Sequence, residues 1–280
     1  MSSMDASRES SHDQNPFCIF QPPAQLREDT DSEEYFMKAA KRGPCLIFNH
    51  ENFDKRTNQP KRRGTANDRD ALQNSFRNLG CNVKVFDDLT FDSIYNEIHA
   101  AAKQNYANKN CFICCILTHG DGKLFARDRP YDISTLLEPF HGDRCQTLAG
   151  KPKIFIIQAC QGDKFDNGVL VKTRDMDVHD SVGFITIPTF ADYLIAQSSV
   201  PGYYSWRDTN AGSWFIQSLT ETIDEKLQEN PAPDFMSILT TTTRKVAYKF
   251  KSNNLIWPGK KQVPCIFSTL TRRIHFYPKN

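Results

Sequence analysis

Short apolar runs alternate along the chain with segments whose apolar residues recur every three or four positions. Continuous apolar runs are typical of strands buried on both faces, and the longer period is typical of amphipathic helices. Strands are predicted over 44–49, 81–86, 111–117, 153–158, 192–196 and 265–277, and helices over 68–79, 91–102, 133–140, 213–229 and 234–250. This alternation predicts an α/β fold in which a mostly parallel sheet carries helices on both faces. In the last strand, Thr271, Ile274 and Phe276 suit a sheet edge.

A cysteine and a histidine follow closely after two of these predicted strands. The strand 153–158 leads into Cys160, with Gly162 allowing a tight turn, and the strand 111–117 leads into His119. In open α/β sheets, ligands bind beyond the carboxyl ends of the strands. If the two strands are neighbours, the sheet places a thiol beside an imidazole, which is the pairing that activates a thiol nucleophile.

The composition and net charge of the chain indicate its cellular compartment and the classes of partner it does not favour. The chain of 280 residues can bury a sizeable core, and its formal net charge of +2 favours neither nucleic acid nor a membrane surface. Its nine cysteines are scattered, and the amino-terminal segment lacks the apolar stretch of a secretion signal. We therefore expect a cytoplasmic protein with free thiols, no nucleic-acid partner and no membrane association. Residues 1–31 are short of apolar residues and are predicted to be disordered.

A metal site formed by Cys111, Cys114 and His119 is an alternative to thiol chemistry. Residues three apart on a strand point to opposite faces, so Cys111 and Cys114 do not readily share one ion. The sequence therefore predicts no metal site and no cofactor.

The residues around Cys160 match a family signature. The segment 158–162, Gln-Ala-Cys-Gln-Gly, fits the pattern Q-A-C-[RQG]-G of caspases, in which the histidine lies upstream, as His119 does. From about residue 35 to its end the chain resembles a caspase. The resemblance implies a central six-stranded sheet, mostly parallel with one antiparallel edge strand. The short leader is similar to that of executioner caspases, which act in apoptosis and are made as zymogens.

The resemblance also divides the chain into functional regions. It implies a prodomain over 1–31, a large-subunit region over 32–165 with the catalytic residues, a processing linker over 166–181 and a small-subunit region over 182–280. The linker is rich in aspartate and poor in residues that could pack, so it is predicted to be exposed.

Two acidic sites suit a protease that cuts its own chain after aspartate. Asp180 ends the sequence Asp-Val-His-Asp before a serine, and Asp31 also precedes a serine. We expect activation by cleavage after Asp180 and Asp31, with Asp175 and Asp177 as alternates to Asp180.

The caspase resemblance assigns the catalytic roles. Cys160 is the nucleophile, His119 transfers the proton to the leaving amine, and the backbone N–H groups of Gly120 and Cys160 form the oxyanion hole. No Asp or Asn partner for His119 is evident, and caspases orient this histidine through a backbone carbonyl, which here falls near Pro60.

Arg62 and Arg207 match the two arginines of the caspase S1 pocket, and Gln158 matches its glutamine. Two guanidinium groups and an amide can hold one short carboxylate by charge-assisted hydrogen bonds, so cleavage after aspartate is expected. Glutamate, one methylene longer, should fit poorly. A related peptidase that cuts after Arg or Lys would need an acidic pocket instead.

The remaining predicted contacts surround the substrate strand. The resemblance assigns aromatic walls of the S2 and S4 pockets and a backbone that pairs with substrate. Asp208 departs from the Asn usual in executioner caspases that favour Asp at P4, which makes an apolar S4 an open alternative. The residues concerned are Tyr204, Trp206 and Trp214 for the walls, Ser205 for the backbone, and the loop around Trp257.

Partners follow from the family. The resemblance implies protein substrates, an upstream initiator caspase, inhibitor-of-apoptosis proteins, and a homodimer of large and small subunits paired through the edge strand near 271–277. The alternative is a caspase-like scaffold without activity that binds other caspases, which the complete set of catalytic residues opposes.

Overall fold

The structure, a computed structural model, describes part of the chain in detail. The described residues are 31–39, 41–162, 188–208, 210–229, 233–252 and 258–277. The predictions for residues 1–30, the processing linker with Asp175, Asp177 and Asp180, and Trp257 fall outside these residues.

A six-stranded sheet forms the centre of the fold. Its strands are β1 (Pro44–Asn49), β2 (Asn82–Asp87), β3 (Phe112–Leu117), β6 (Lys153–Gln158), β7 (Tyr193–Gln197) and β10 (Cys265–Ser268). They lie in the order β10-β7-β6-β3-β1-β2. Every pair is parallel except β10 with β7, which is antiparallel. The predicted fold class, with its single antiparallel edge strand, is confirmed.

Helices cover both faces of this sheet. They are α1 (Thr65–Asn78), α2 (Phe91–Ala102), α3 (Ser134–Leu137), α4 (Trp214–Lys226) and α5 (Phe235–Lys249). Apolar side chains of α1, α4 and α5 join one core cluster, and those of α2 and α3 join the other. The central strands β1, β3 and β6 are buried throughout because both faces are covered.

Several element boundaries differ from the predicted ones. Helix α1 begins at Thr65, three residues earlier than predicted, directly after Gly64 in a left-handed conformation. The predicted helix 133–140 is divided into α3 and a short 3-10 helix, Glu138–Phe140, with a proline at its start. Four two-residue strands were not predicted: β4 (Leu124–Phe125), β5 (Pro130–Tyr131), β8 (Arg207–Asp208) and β9 (Gly212–Ser213).

The predicted strand over 265–277 is wrong beyond Ser268. Only 265–268 pairs with the sheet, and the following residues turn under α5, where the Phe235 N–H donates to the Ile274 carbonyl at 2.8 Å. Ile274 and Phe276 are buried in the core, so they do not form an exposed edge. The edge strand of the sheet is therefore β10, and the expected dimer edge near 271–277 is corrected accordingly.

Within the described part of the chain, none of the helices has the length and apolar content needed to span a membrane. Nor do any three His, Cys, Asp or Glu side chains among these residues cluster as metal ligands would.

Candidate active site

The carboxyl ends of β3 and β6 bring His119 and Cys160 to the same edge of the sheet. The two strands pair in parallel with Leu117 opposite Gln158, and the Thr118 N–H extends the pairing by donating to the Gln158 carbonyl at 3.0 Å. His119 and Cys160 each lie two residues beyond that pair. Neighbouring strands are about 4.8 Å apart, so this register brings the backbones of His119 and Cys160 close together at one edge of the sheet.

The backbone at Gly120 also lies very close to the backbone at Cys160. A Cβ on Gly120 would lie 2.2 Å from the carbonyl oxygen of Cys160, which is closer than real Cβ contacts allow. The backbone after His119 therefore runs directly against that of Cys160, and only glycine fits there. The predicted catalytic residues are thus assembled in one place.

His119 is held by its backbone contact. Its Nε2 lies 2.8 Å from the Pro60 carbonyl, which can only accept, so Nε2 carries the proton and Nδ1 is free to accept one. Its ring also packs on Phe53, with centroids 5.0 Å apart. Burial lowers the pKa of His119 to about 4, opposed by the bond to Pro60, and Arg62 and Arg207 lower it further. The imidazole is therefore neutral at pH 7.

Cys160 is partly buried, and its Sγ lies 3.7 Å from the Ser205 carbonyl oxygen. Burial raises the pKa of its thiol, while the contact with Ser205 and the charges of Arg62 and Arg207 lower it. Burial prevails, so the resting group is a neutral thiol beside a neutral imidazole. Attack by sulfur therefore requires proton transfer to a base.

Arg62 is 1% exposed and is fixed from two sides. One terminal nitrogen, Nη1, donates to the His50 carbonyl at 2.9 Å and to the Thr65 hydroxyl at 2.8 Å. Its Nε has no hydrogen-bond partner among the described residues. Burial first, and then the charge of Arg207, lower the pKa of Arg62 to about 9. A buried cation with an unused donor next to a second cation is suited to an anionic ligand.

Arg207 and Gln158 are each fixed by a hydrogen bond. Arg207 Nε donates to the Arg63 carbonyl at 3.1 Å, and burial lowers the pKa of Arg207. Gln158 donates from Nε2 to the Ser205 hydroxyl at 2.8 Å, and its Oε1 has no partner within the described structure. Rotating this amide by 180° would let Ser205 donate to Oε1 and would free Nε2 to donate to a ligand.

The predicted aromatic residues form one continuous wall. Tyr204 and Trp206 meet edge to face at 5.1 Å, and Trp206 stacks on Trp214 at 5.8 Å. Trp214 stacks in turn on Phe250 at 5.3 Å, a member that sequence reasoning missed. Tyr204 is 39% exposed, so part of this wall faces solvent.

Asp208 has a local role in its loop. Its Oδ1 accepts from the N–H groups of Asn210 at 2.7 Å and Ala211 at 2.9 Å, between β8 and β9. These bonds lower the pKa of Asp208. The carboxylate of Asp208 is therefore held within its own turn.

Two buried polar residues that the sequence analysis missed hold this region together. Asp68 accepts from the Ser213 N–H at 2.8 Å, the Ser213 hydroxyl at 2.6 Å and Gln217 at 2.8 Å, which joins α1 to the start of α4. Gln262 accepts from the Trp206 N–H at 2.6 Å and donates to the Ser198 carbonyl at 2.7 Å.

A signal for one of these two residues was present in the sequence. Asp68 shares the helical spacing of Leu72 and Phe76, which lie on the buried face of α1. A charged residue in register with that face indicates a buried partner network. Gln262 lies outside any periodic segment, and nothing in the sequence pointed to it.

Several known proteins are similar to this chain over most of its length. It matches the family model of the caspase domain over residues 42–275. It is 40% identical over 261 residues to caspase-6 of Gallus gallus, covering 88% of this chain and 84% of that protein. It is 41% identical over 246 residues to caspase-3 of Felis catus, covering 87% of each.

A solved structure agrees with these relatives. The crystal structure of caspase-1 from Spodoptera frugiperda superposes with a TM-score of 0.83 at 40% identity, covering 92% of this chain and 98% of that one. The resemblance inferred from the segment around Cys160 is thereby confirmed. The thiol of Cys160 and the imidazole of His119, at the ends of adjacent strands, fit this assignment. The chain belongs to the caspase family and is a cysteine-type endopeptidase.

Proposed function

We propose that this caspase hydrolyses proteins on the carboxyl side of aspartate, with Cys160 as nucleophile and His119 as acid–base group. The observation that supports it best is the pair of guanidinium groups, Arg62 and Arg207, whose charges act on the Cys160 thiol. A side-chain carboxylate held by these groups would place the adjoining peptide carbonyl beside the sulfur.

The neutral states of the two catalytic groups suit the first step. Nδ1 of His119 takes the thiol proton as Sγ of Cys160 attacks the peptide carbonyl carbon. The N–H groups of Gly120 and Cys160 stabilise the oxyanion. As the C–N bond breaks, His119 returns the proton to the leaving amine and a thioester remains. Water attacks this thioester with His119 as base, which releases the acid and restores the thiol.

Arg62 and Arg207 select the P1 residue. A carboxylate accepts from the unused donors of the two guanidinium groups and from the rotated amide of Gln158, and its negative charge relieves the repulsion between the arginines. A Glu side chain is longer by one methylene and should fit the same donors poorly, so we expect slower hydrolysis after Glu. Arg or Lys at P1 would add a third cation to the pocket.

A panel of fluorogenic peptides that differ only at P1 tests this specificity. We expect hydrolysis after Asp, much slower hydrolysis after Glu, and none after Arg or Lys. Cys160→Ala serves as the matched control and should abolish all turnover. Cleavage after a basic residue, or turnover that survives in the Cys160→Ala variant, would contradict the proposal.

The surfaces beyond S1 are proposed to hold an extended substrate strand. The aromatic wall of Tyr204, Trp206 and Trp214 would contact the P2 and P4 side chains, and the backbone at Ser205 would pair with the peptide. Because Asp208 already accepts two backbone donors and carries a negative charge, we expect an apolar P4 residue to be favoured over Asp. The same peptides varied at P4 measure this preference.

The biological setting is proposed from the family. Cleavage after Asp180, with Asp175 and Asp177 as alternates, and after Asp31 would convert a zymogen into large and small subunits. The active form would be a cytoplasmic dimer of these heterodimers that dismantles the cell in apoptosis, started by an initiator caspase and restrained by inhibitor-of-apoptosis proteins. Sequencing the new amino termini after activation tests the cleavage sites, and a cut after Lys or Arg would oppose them.

A further inference from the structure

A basic cavity lies at the opposite end of the sheet from Cys160. Its volume is about 600 Å³, and it is lined by residues 41–44, 80–82, Gln104 and Lys109. Pro44 and Asn82 are the first residues of β1 and β2, so the cavity opens at the amino-terminal ends of these strands. A strand of six residues spans about 20 Å, which separates the cavity from the active-site edge.

Two lysines on its wall are held next to each other. Lys41 and Lys109 pair through a backbone bridge, and burial together with the charge of Lys41 lowers the pKa of Lys109. Lys109 Nζ donates to the Gln104 side-chain oxygen at 2.7 Å and lies 4.6 Å from the ring of Tyr106. Neither lysine forms an ion pair with another described residue.

Arg42 adds a third positive charge behind the lysines. It is 2% exposed, and its guanidinium donates to the carbonyls of Leu79 at 3.0 Å, Met37 at 2.9 Å and Tyr277. These carbonyls accept hydrogen bonds from the guanidinium of Arg42 but do not supply a negative charge to balance it. Burial lowers the pKa of Arg42. The carbonyl end of α1, reached through Leu79, offers a partial negative charge.

We propose that this cavity binds a small anion carrying two or more phosphate or carboxylate groups, held by the ammonium groups of Lys41 and Lys109. Among the described residues, three basic ones and no acidic one line the site, so a bound anion would relieve their mutual repulsion. The amides of Asn82 and Gln104 offer neutral donors beside the lysines. The volume lies in the range of small-molecule sites, which is about 300–1,000 Å³.

Calorimetric titration with pyrophosphate and, separately, with citrate tests the site and distinguishes phosphate from carboxylate ligands. The test compares the unmodified protein at low ionic strength with a Lys41→Gln/Lys109→Gln double variant. The double variant loses the charge-assisted hydrogen bonds of both ammonium groups, so we expect it to bind at least about tenfold more weakly. Affinity should also fall as salt is raised.

Two further variants serve as controls. Lys55→Gln/Lys84→Gln removes the same charge from exposed lysines outside the cavity and should change affinity less than about twofold. Lys41→Arg/Lys109→Arg keeps the charge and should retain binding, which separates loss of the site from loss of the fold.

Three results would overturn the proposal. One is that neither probe binds the unmodified protein at millimolar concentration. Another is equal affinity in the Lys41→Gln/Lys109→Gln variant. The third is that the probe only competes with peptide substrate, with the same inhibition constant in that variant, because this would place it at Arg62 and Arg207.

Discussion

Gly120 lies so close to the backbone of Cys160 that it excludes a side chain. A Cβ there would be 2.2 Å from the Cys160 carbonyl oxygen and 3.0 Å from the Ala159 Cβ, so Gly120→Ala must push the ends of β3 and β6 apart. Losing one oxyanion donor typically costs about 100-fold or more in kcat. We expect Gly120→Ala to lower kcat at least about 100-fold in steady-state peptide hydrolysis, with a smaller change in KM.

Gly122→Ala is the matched control for this substitution. Unlike Gly120, Gly122 has a left-handed backbone, with φ of +68°, but a Cβ there meets no atom within 4 Å. Its cost is therefore confined to backbone strain of about 1–2 kcal/mol. If Gly122→Ala slowed hydrolysis as much as Gly120→Ala does, the contact with Cys160 would not be the cause.

Asp68 tests the electrostatics of the site. It is buried, and its charge acts on Arg62 and Arg207, the same groups that act on the Cys160 thiol. Asp68→Asn keeps the shape and can keep the bonds to Ser213, but it removes the negative charge. Because the arginines then stabilise the thiolate more strongly, the pKa of Cys160 should fall, by up to about one unit.

The rate of alkylation of Cys160 by iodoacetamide, followed by peptide mapping across a pH series, measures this shift. The midpoint should move to lower pH in Asp68→Asn. Asp208→Asn removes an exposed charge that is bound to its own loop, and we expect it to leave the midpoint unchanged. A midpoint that rises in Asp68→Asn would contradict this account of the thiol.

At the scale of secondary-structure elements, the sequence predicted the strands best where every residue of a strand is buried. The strands β1, β3 and β6 are covered on both faces, so each is one continuous apolar run that ends close to its predicted boundary. The Cys160 and His119 positions follow from these strands. The two-residue strands β8 and β9 carry too little pattern to detect, and Arg207 reaches the site through them.

The error at 265–277 has a physical cause. Ile274 and Phe276 alternate with polar residues as a strand would, but they are buried beneath α5, where Phe276 meets Phe235 edge to face at 5.3 Å. Alternation reports which side chains are buried, and it does not say whether a sheet or a helix covers them.

The free energy of unfolding shows whether Phe276 is buried in the core or lies on an exposed edge. Because Phe276 is 2% exposed, Phe276→Ala leaves a cavity in the core and should lower the free energy of unfolding by about 3–5 kcal/mol. Tyr248→Ala is the control, since Tyr248 is 82% exposed on α5 and should cost less than about 1 kcal/mol. Urea unfolding of both variants provides the comparison. Equal, small losses would indicate that 271–277 forms an exposed edge after all.

At the scale of the whole molecule, β10 is the edge strand of the sheet, and we therefore propose it as the dimer contact. This strand pairs with β7 on one side, and it is the last strand of the sheet on the other. An open edge strand is a template for pairing with another chain, and Phe267 on β10 is 49% exposed. Two copies related by a twofold axis would place their β10 strands together.

Phe267→Asp tests this assembly. In a twofold dimer each substitution is present twice across the shared edge, so Phe267→Asp would bring two negative charges to the same interface. We expect sedimentation equilibrium to show a weaker dimer, by at least about tenfold in Kd, because like charges at an interface cost several kcal/mol. Tyr248→Asp adds the same charge to an exposed aromatic position on α5 and should leave the dimer intact. A dimer equally stable in both variants would mean that the copies meet through a surface other than β10.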